Sequence, residues 1–117
     1  MRMNEVVYTD AKPIDGYGSG FFRIGGEAIE GAVLVSPRGV TGWGGYEDGA
    51  ALLDLKPEVD VILVGTGQEI AHLPRRLREE LEDAGIGVEV MASGPAARSY
   101  NVLLAEGRRV AVALLPV

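Results

Sequence analysis

Val59-Asp60-Val61-Ile62-Leu63-Val64-Gly65-Thr66-Gly67, residues 59–67, is an apolar strand that runs into a glycine turn, and the elements on its C-terminal side decide the fold class. Leu73 to Ala84 reads as a helix, with Pro74 suited to its opening turn, Leu73, Leu77 and Leu81 on one face, and Gly85 as its stop. Val88 to Met91 reads as a strand, Pro95 to Glu106 as a second helix ending at Gly107, and Arg109 to Leu115 as a further strand. Alternating strands and helices predict an α/β sheet with the helices packed on it. Upstream, Phe21-Phe22-Arg23-Ile24, the Gly25-Gly26 turn and Glu27 to Val35 predict a hairpin, because both turn glycines accept positive φ. Ser36-Pro37-Arg38-Gly39 makes the next turn and Val40 to Trp43 returns as a short strand, so the first part is an antiparallel β-meander. Gly16-Tyr17-Gly18-Ser19-Gly20 reads as a flexible lead-in or tight turn, and the first dozen residues as loose. Gly44 to Gly49 is a polar loop, with a turn or two of helix after it at Ala50 to Leu55.

At 117 residues the chain is expected to be one domain, 1–117, large enough to bury a core without staples. Hydrophobic residues make up 47% and charged residues 24%, ordinary for a folded soluble protein. With no cysteine there is neither a disulfide nor a thiolate nucleophile, which fits a reducing compartment. Residues 1–7 lack the apolar core of a signal peptide, and no apolar run approaches the ~20 residues of a membrane span. The expectation is a cytoplasmic, unanchored chain with no direct membrane insertion. A net charge of −6 argues against nucleic acid, and the one basic cluster, Arg75, Arg76 and Arg78, has an acid four residues beyond each arginine, as on a salt-bridged helix face.

No complete catalytic motif is present. The turn at Gly65-Thr66-Gly67 has Ile70 where the dinucleotide fingerprint needs its third glycine, and neither lysine follows a phosphate-binding loop. His72 is the only histidine, so neither a triad nor a metal site is supported, and no cofactor is expected. Thr66 and Ser93 would share one end of the sheet if their strands are parallel neighbours. The start of the second helix, the Ser93 hydroxyl and Arg98 one turn on would then hold a carboxylate or phosphate in a small cleft. The alternative is that Ser93 caps the helix and Arg98 pairs with Glu106 or another acid. Asn101 is a mediocre helix former, so beside Tyr100 it either fastens the helix, for example to the Thr66 loop, or recognises a partner. Trp43 and Tyr46, next to three glycines, form a binding lip or cover the end of the sheet.

Gly16-Tyr17-Gly18 before Phe21, Gly31-Ala32-Val33-Leu34 leading to Pro37 and Trp43, the Gly65-Thr66-Gly67 turn, and Ala96-Ala97-Arg98-Ser99-Tyr100-Asn101-Val102-Leu103 with Glu106-Gly107-Arg108 after it together resemble a known family. It is the domain-of-unknown-function family of mitochondrial complex I (NADH:ubiquinone oxidoreductase) assembly factor 3 and the adipogenesis-associated Mth-type domain protein. Ser99 stands where members often have Thr, Ala92-Ser93 where they often have Asp-Thr, and Ala97 where many carry Cys. The resemblance implies a three-layer α/β fold with a mixed central β-sheet and the meander as an extra layer. It does not imply an enzyme. The expectation is a bacterial, non-catalytic interaction domain, an assembly or adaptor factor for respiratory or membrane protein complexes, binding a protein partner around Trp43, Tyr46, Arg98, Tyr100 and Asn101. The alternative is an enzyme or small-ligand binder using the anion cleft between Thr66 and Ser93. Monomer and homodimer, the latter through a meander edge strand, are both open.

Overall fold

The computed structural model describes residues 11–117; the expectation of a loose first dozen lies, for residues 1–10, outside the described residues. The elements in order are β1 (Ile14–Gly18), β2 (Phe21–Ile24), β3 (Glu27–Glu30), β4 (Val33–Ser36), β5 (Gly39–Gly42), a 3-10 turn (Gly45–Glu47), α1 (Gly49–Leu53), β6 (Val61–Gly65), α2 (Arg75–Asp83), β7 (Gly87–Met91), α3 (Ser93–Ala105) and β8 (Val110–Leu114). β1, β2 and β3 form an antiparallel sheet. The other five strands form a mixed sheet in the order β5-β4-β8-β6-β7, with β4 antiparallel to β5 and β8, and β6 parallel to β7 and β8.

Side-chain alternation on the five-stranded sheet builds the layers. Leu34, Ile62, Val64, Ala111 and Ala113 face one way, onto Leu52 of α1 and the Leu77 and Leu81 stripe of α2. Val33, Val35, Leu63, Val110, Val112 and Leu114 face the other way, onto Ala96, Ala97 and Tyr100 of α3 and onto Ile14, Phe22 and Ile24 of the small sheet. The result is three layers: α1 with α2, the mixed sheet, and α3 beside the three-stranded sheet. Two of the three arginines in the basic cluster pair along the helix as their spacing predicts, Arg76 with Glu80 at 3.5 Å and Arg78 with Glu82 at 3.2 Å, whereas Arg75 has no ion pair among the described residues.

Two strand readings need correction. Glu27 to Val35 is not one strand: the chain breaks at Gly31, which has φ +83°, so β3 ends the small sheet and β4 enters the large one. Burial gives the reason. β4 is covered on both faces and belongs inside a layered sheet, whereas β3 is largely exposed. The glycine cluster at residues 16–20 is also more than a lead-in. Ile14–Gly18 pairs with β2, with a register shift at Asp15, and only Ser19-Gly20 is the turn.

The packing of α3 on the sheet depends on Gly65. A Cβ there would lie 2.6 Å from Leu114 Cδ2, 2.7 Å from Ser93 Oγ and 2.8 Å from Ser93 Cα, and a backbone atom cannot swing aside. Gly65→Ala is therefore expected to destabilise the protein by about 3 kcal/mol, read as a fall in melting temperature on the order of 10 °C. Gly16→Ala, where a Cβ meets nothing within 4 Å, is expected to stay within about 0.5 kcal/mol of the parent.

Candidate functional site

α3 carries most of the residues singled out by sequence, and its first turn is closed by its own chain. The Ser93 N–H donates to the Gly67 carbonyl at 2.8 Å, Pro95 has no N–H, and the Ala96 N–H donates to the Ala92 carbonyl at 3.0 Å. The fully buried Ser93 hydroxyl donates to the Leu115 carbonyl at 2.6 Å and accepts the Gly67 N–H at 2.9 Å. Tyr17 lies over Gly94 so closely that a Cβ on Gly94 would collide with the phenol oxygen. Thr66 Oγ1 accepts the Ala71 N–H at 3.1 Å and has the Glu69 carbonyl at 2.7 Å for its own proton. Thr66 and Ser93 thus share one end of the sheet, as expected. The expected anion cleft is not assembled there: loop closure occupies the Ser93 and Thr66 hydroxyls and the Ser93 and Gly67 N–H groups, and Arg98 lies in another groove, beside Glu89.

One and two turns further on, α3 is tied to β1. The Asn101 amide donates to the Ile14 carbonyl at 2.8 Å, and its oxygen accepts the Ile14 N–H at 2.8 Å. This side chain therefore completes one rung of a β-ladder, where a backbone would otherwise be needed. Tyr100 is fully buried and its hydroxyl donates to the Lys12 carbonyl at 3.1 Å; burial pushes its pKa up to about 12. Asn101 does fasten the helix, but to Ile14 rather than to the Thr66 loop. An Asn in mid-helix was the signal, and its partner 87 residues away has no trace in local sequence.

Trp43 and Tyr46 lie on the opposite side of the mixed sheet. Trp43 is buried in the α1–α2 core, its indole N–H donating to the Asp48 carbonyl at 3.3 Å. Tyr46 meets it edge-on with ring centroids 6.1 Å apart, and partial burial pushes the phenol pKa up. The outer flank of Tyr46 borders a groove with Ala50, Leu53, Pro74 and Leu77. One surface joining Trp43 and Tyr46 to Arg98, Tyr100 and Asn101 is not formed, because the sheet separates the two groups.

Arg98 remains at the surface. It shares a groove with Val61, Glu89, Ser99, Val102 and Arg108, between the outer flank of α3 and β7. Sequence reasoning missed Val102, Glu89 and Arg108; an apolar side chain on the polar side of α3 was the available signal. Arg98 forms no ion pair with Glu106 among the described residues. Also among the described residues, no group of three His, Cys, Asp or Glu is placed to hold a metal, and no helix is long and apolar enough to cross a membrane.

Residues 14–115 match the family described as protein of unknown function (DUF498/DUF598), and the chain belongs to that family. It is 50% identical over 117 residues to an uncharacterized protein of Rhodobacter capsulatus, covering 100% of this chain and 94% of that one. It is 33% identical over 110 residues to NADH dehydrogenase (ubiquinone) 1 alpha subcomplex assembly factor 3 of Homo sapiens. That match covers 88% of this chain and 60% of the human protein, so the chain spans less than two thirds of that relative. A crystal structure described as an outer membrane protein from Bartonella henselae superposes with a TM-score of 0.86 at 37% identity, covering 94% of this chain and 99% of that one. The family is the one that the Ala96–Leu103 and Gly16–Trp43 motifs resemble.

Two substitutions separate the ties at α3. Asn101→Ala leaves the Ile14 N–H and carbonyl without their partner and is expected to cost about 1 to 3 kcal/mol in denaturant unfolding. Tyr100 titrates near its ordinary value of 10.0 in the unfolded chain and at about 12 when folded. The folded state therefore holds the proton more tightly, and the stability this gives is complete below pH ~10 and lost as the pH rises toward 12. Unfolding measured from pH ~9 to ~12 is expected to show a loss of roughly 2 to 3 kcal/mol in the parent that is missing in Tyr100→Phe.

Proposed function

We propose that this member of the DUF498/DUF598 family is a non-catalytic protein-binding factor that helps assemble the respiratory-chain complex NADH:ubiquinone oxidoreductase. The observation that carries this reading is the likeness, along 88% of the chain, to a protein named as an assembly factor of that complex. The shape of α3 supports it. Its inner side is taken up by the chain's own contacts through Ser93, Ala96, Ala97, Tyr100 and Asn101, while Arg98 and Val102 face outward. A buried tether with an exposed flank is how a binding module presents a rigid surface. Thr66 and Ser93 serve that surface by fixing the start of α3, and Trp43 backs Tyr46, which offers a second, separate patch. In this reading the whole chain, 1–117, acts as one domain, in the cytoplasm, on a protein partner and without a cofactor.

The test is genetic and biochemical. Deleting the gene in its host and measuring assembled NADH:ubiquinone oxidoreductase in the membranes should show a deficit that the parent gene restores. A variant with Arg98→Glu and Arg108→Glu, both exposed, is expected to keep its melting temperature yet restore roughly ten-fold less complex, the effect of about 1.4 kcal/mol in binding. Normal levels of the complex in the deletion strain would overturn the reading.

A further inference from the structure

The β7 edge of the five-stranded sheet differs from the other strand edges among the described residues. β1 is irregular at Asp15 and has Asn101 bonded to Ile14; β3 presents Glu27 and Glu30; β5 begins and ends in glycine. Irregularity, charge and weak strand formers all discourage an edge from recruiting another strand. β7 also begins with a glycine and carries one acid, Glu89, but it offers five residues in unbroken parallel register with β6 and two β-branched residues, Val88 and Val90, at the open edge. The Gly87 N–H donates to the Asp60 carbonyl at 2.9 Å, and the Met91 carbonyl accepts the Thr66 N–H at 2.8 Å. Alternate residues of a parallel strand bond to the same neighbour, so Gly87, Glu89 and Met91 bond inward. The N–H and C=O groups of Val88 and Val90 therefore point out of the sheet.

Each flank of this edge exposes an apolar side chain. On the α3 side, Val102 is 56% exposed and borders the groove with Glu89, Arg98 and Arg108. On the α2 side, Ile70 is 67% exposed and lies with Ala71, His72 and Val90 in a second groove. Charge distinguishes the two. Arg78, which lines the α2-side groove, is paired with Glu82, whereas Arg98 and Arg108 of the α3-side groove have no carboxylate partner among the described residues, a state they share with Arg23 and Arg75 elsewhere. Two unpaired guanidinium groups against one carboxylate make the α3-side groove cationic in a chain of net charge −6.

We propose that β7 is a docking edge for an extended, acidic segment of a partner protein, which adds as a sixth strand. Its backbone pairs with Val88 and Val90. Alternate side chains then fall into the two grooves: acidic ones beside Arg98 and Arg108, apolar ones against Ile70 and Val90. A second copy of this chain, whose own Glu89 would meet the same arginines, is the other occupant of this edge, and the test below separates the two. This inference rests on the protein-binding reading and adds the recognition mode.

The test is an amide chemical-shift titration of the full chain with a synthetic octapeptide, Thr-Glu-Val-Asp-Val-Glu-Ile-Thr with blocked ends, up to about 1 mM, the range of weak strand addition. The same peptide with lysine in place of every acid is the comparison. Shifts are expected at the Val88, Val90 and Val102 amides with the acidic peptide and not with the lysine peptide. Val90→Pro removes an outward N–H that no sheet bond uses, and Arg98→Glu reverses a groove charge; each is expected to weaken binding by roughly ten-fold or more. Should Val90→Pro fail to fold, Arg98→Glu and the lysine peptide still decide the matter. Absence of shifts at about 1 mM, equal response to both peptides, or a parent dimer that Val90→Pro breaks would overturn the proposal, the last by assigning the edge to a second copy. The titration needs no knowledge of the natural partner. A negative titration beside a deletion strain deficient in the complex removes the edge alone; a positive one beside a normal deletion strain removes the assembly reading alone.

Discussion

A single side-chain amide ties α3 to the small antiparallel sheet, whose Ile14, Phe22 and Ile24 share an apolar cluster with the mixed sheet. Asn101 takes the N–H and the carbonyl of Ile14 together, so a helix supplies what an edge strand would otherwise seek from another strand. With the Tyr100 hydroxyl on Lys12 next to it, this tie sets the small antiparallel sheet beside α3 over one face of the mixed sheet. The Gly65–Ser93 approach anchors the other end of the same helix, where the Ser93 hydroxyl links Gly67 to Leu115. α3 is therefore held at its start and at its middle, and its rotation about its own axis is settled.

That fixed rotation divides the helix by role. Ser93, Ala96, Ala97 and Tyr100 are buried and Asn101 is bonded to β1, while Arg98 and Val102 are left on the flank that looks toward β7. The mixed sheet has the same asymmetry. Its inner strands β8 and β6 are covered by helices and paired on both sides, β4 is paired on both sides as well, and β7 ends the sheet with one side open. An open strand edge, exposed apolar side chains and unpaired arginines converge on one region, which is why a binding role is proposed there rather than at the glycine turn beyond β6.

The mixed part of the fold was legible because its pattern is strong. A leucine every fourth residue from Leu73 to Leu81, apolar runs at Val61–Val64 and Val110–Leu114, and glycine stops at Gly85 and Gly107 mark the elements to within a residue or two. β1 was hidden by its composition, since Asp-Gly-Tyr-Gly has the residues of a turn and its pairing with β2 comes from tertiary packing of Ile14. The break at Gly31 was equally silent, because a lone glycine among β-branched residues does not announce that the strands on its two sides join different sheets. At the site, Asn101 stood out as a local misfit and does solve a local problem, yet no rule of spacing connects it to Ile14. Ser93 suggested an anion site because a helix start looks the same in sequence whether its polar groups await a ligand or close a loop. Arg98 alone among the α3 candidates is exposed, while Val102 drew no attention because a single exposed valine is unremarkable until β7 lies beside it.

Native-state hydrogen exchange, residue by residue, tests the division of α3 and its neighbours into a tied side and an open side most directly. The Ile14 amide, held by a side chain, should exchange only through global unfolding, among the slowest in the protein, while the Val88 and Val90 amides at the open edge exchange orders of magnitude faster than Glu89 between them. An Ile14 amide as labile as a loop amide, or Val88 and Val90 as protected as Glu89, would contradict it.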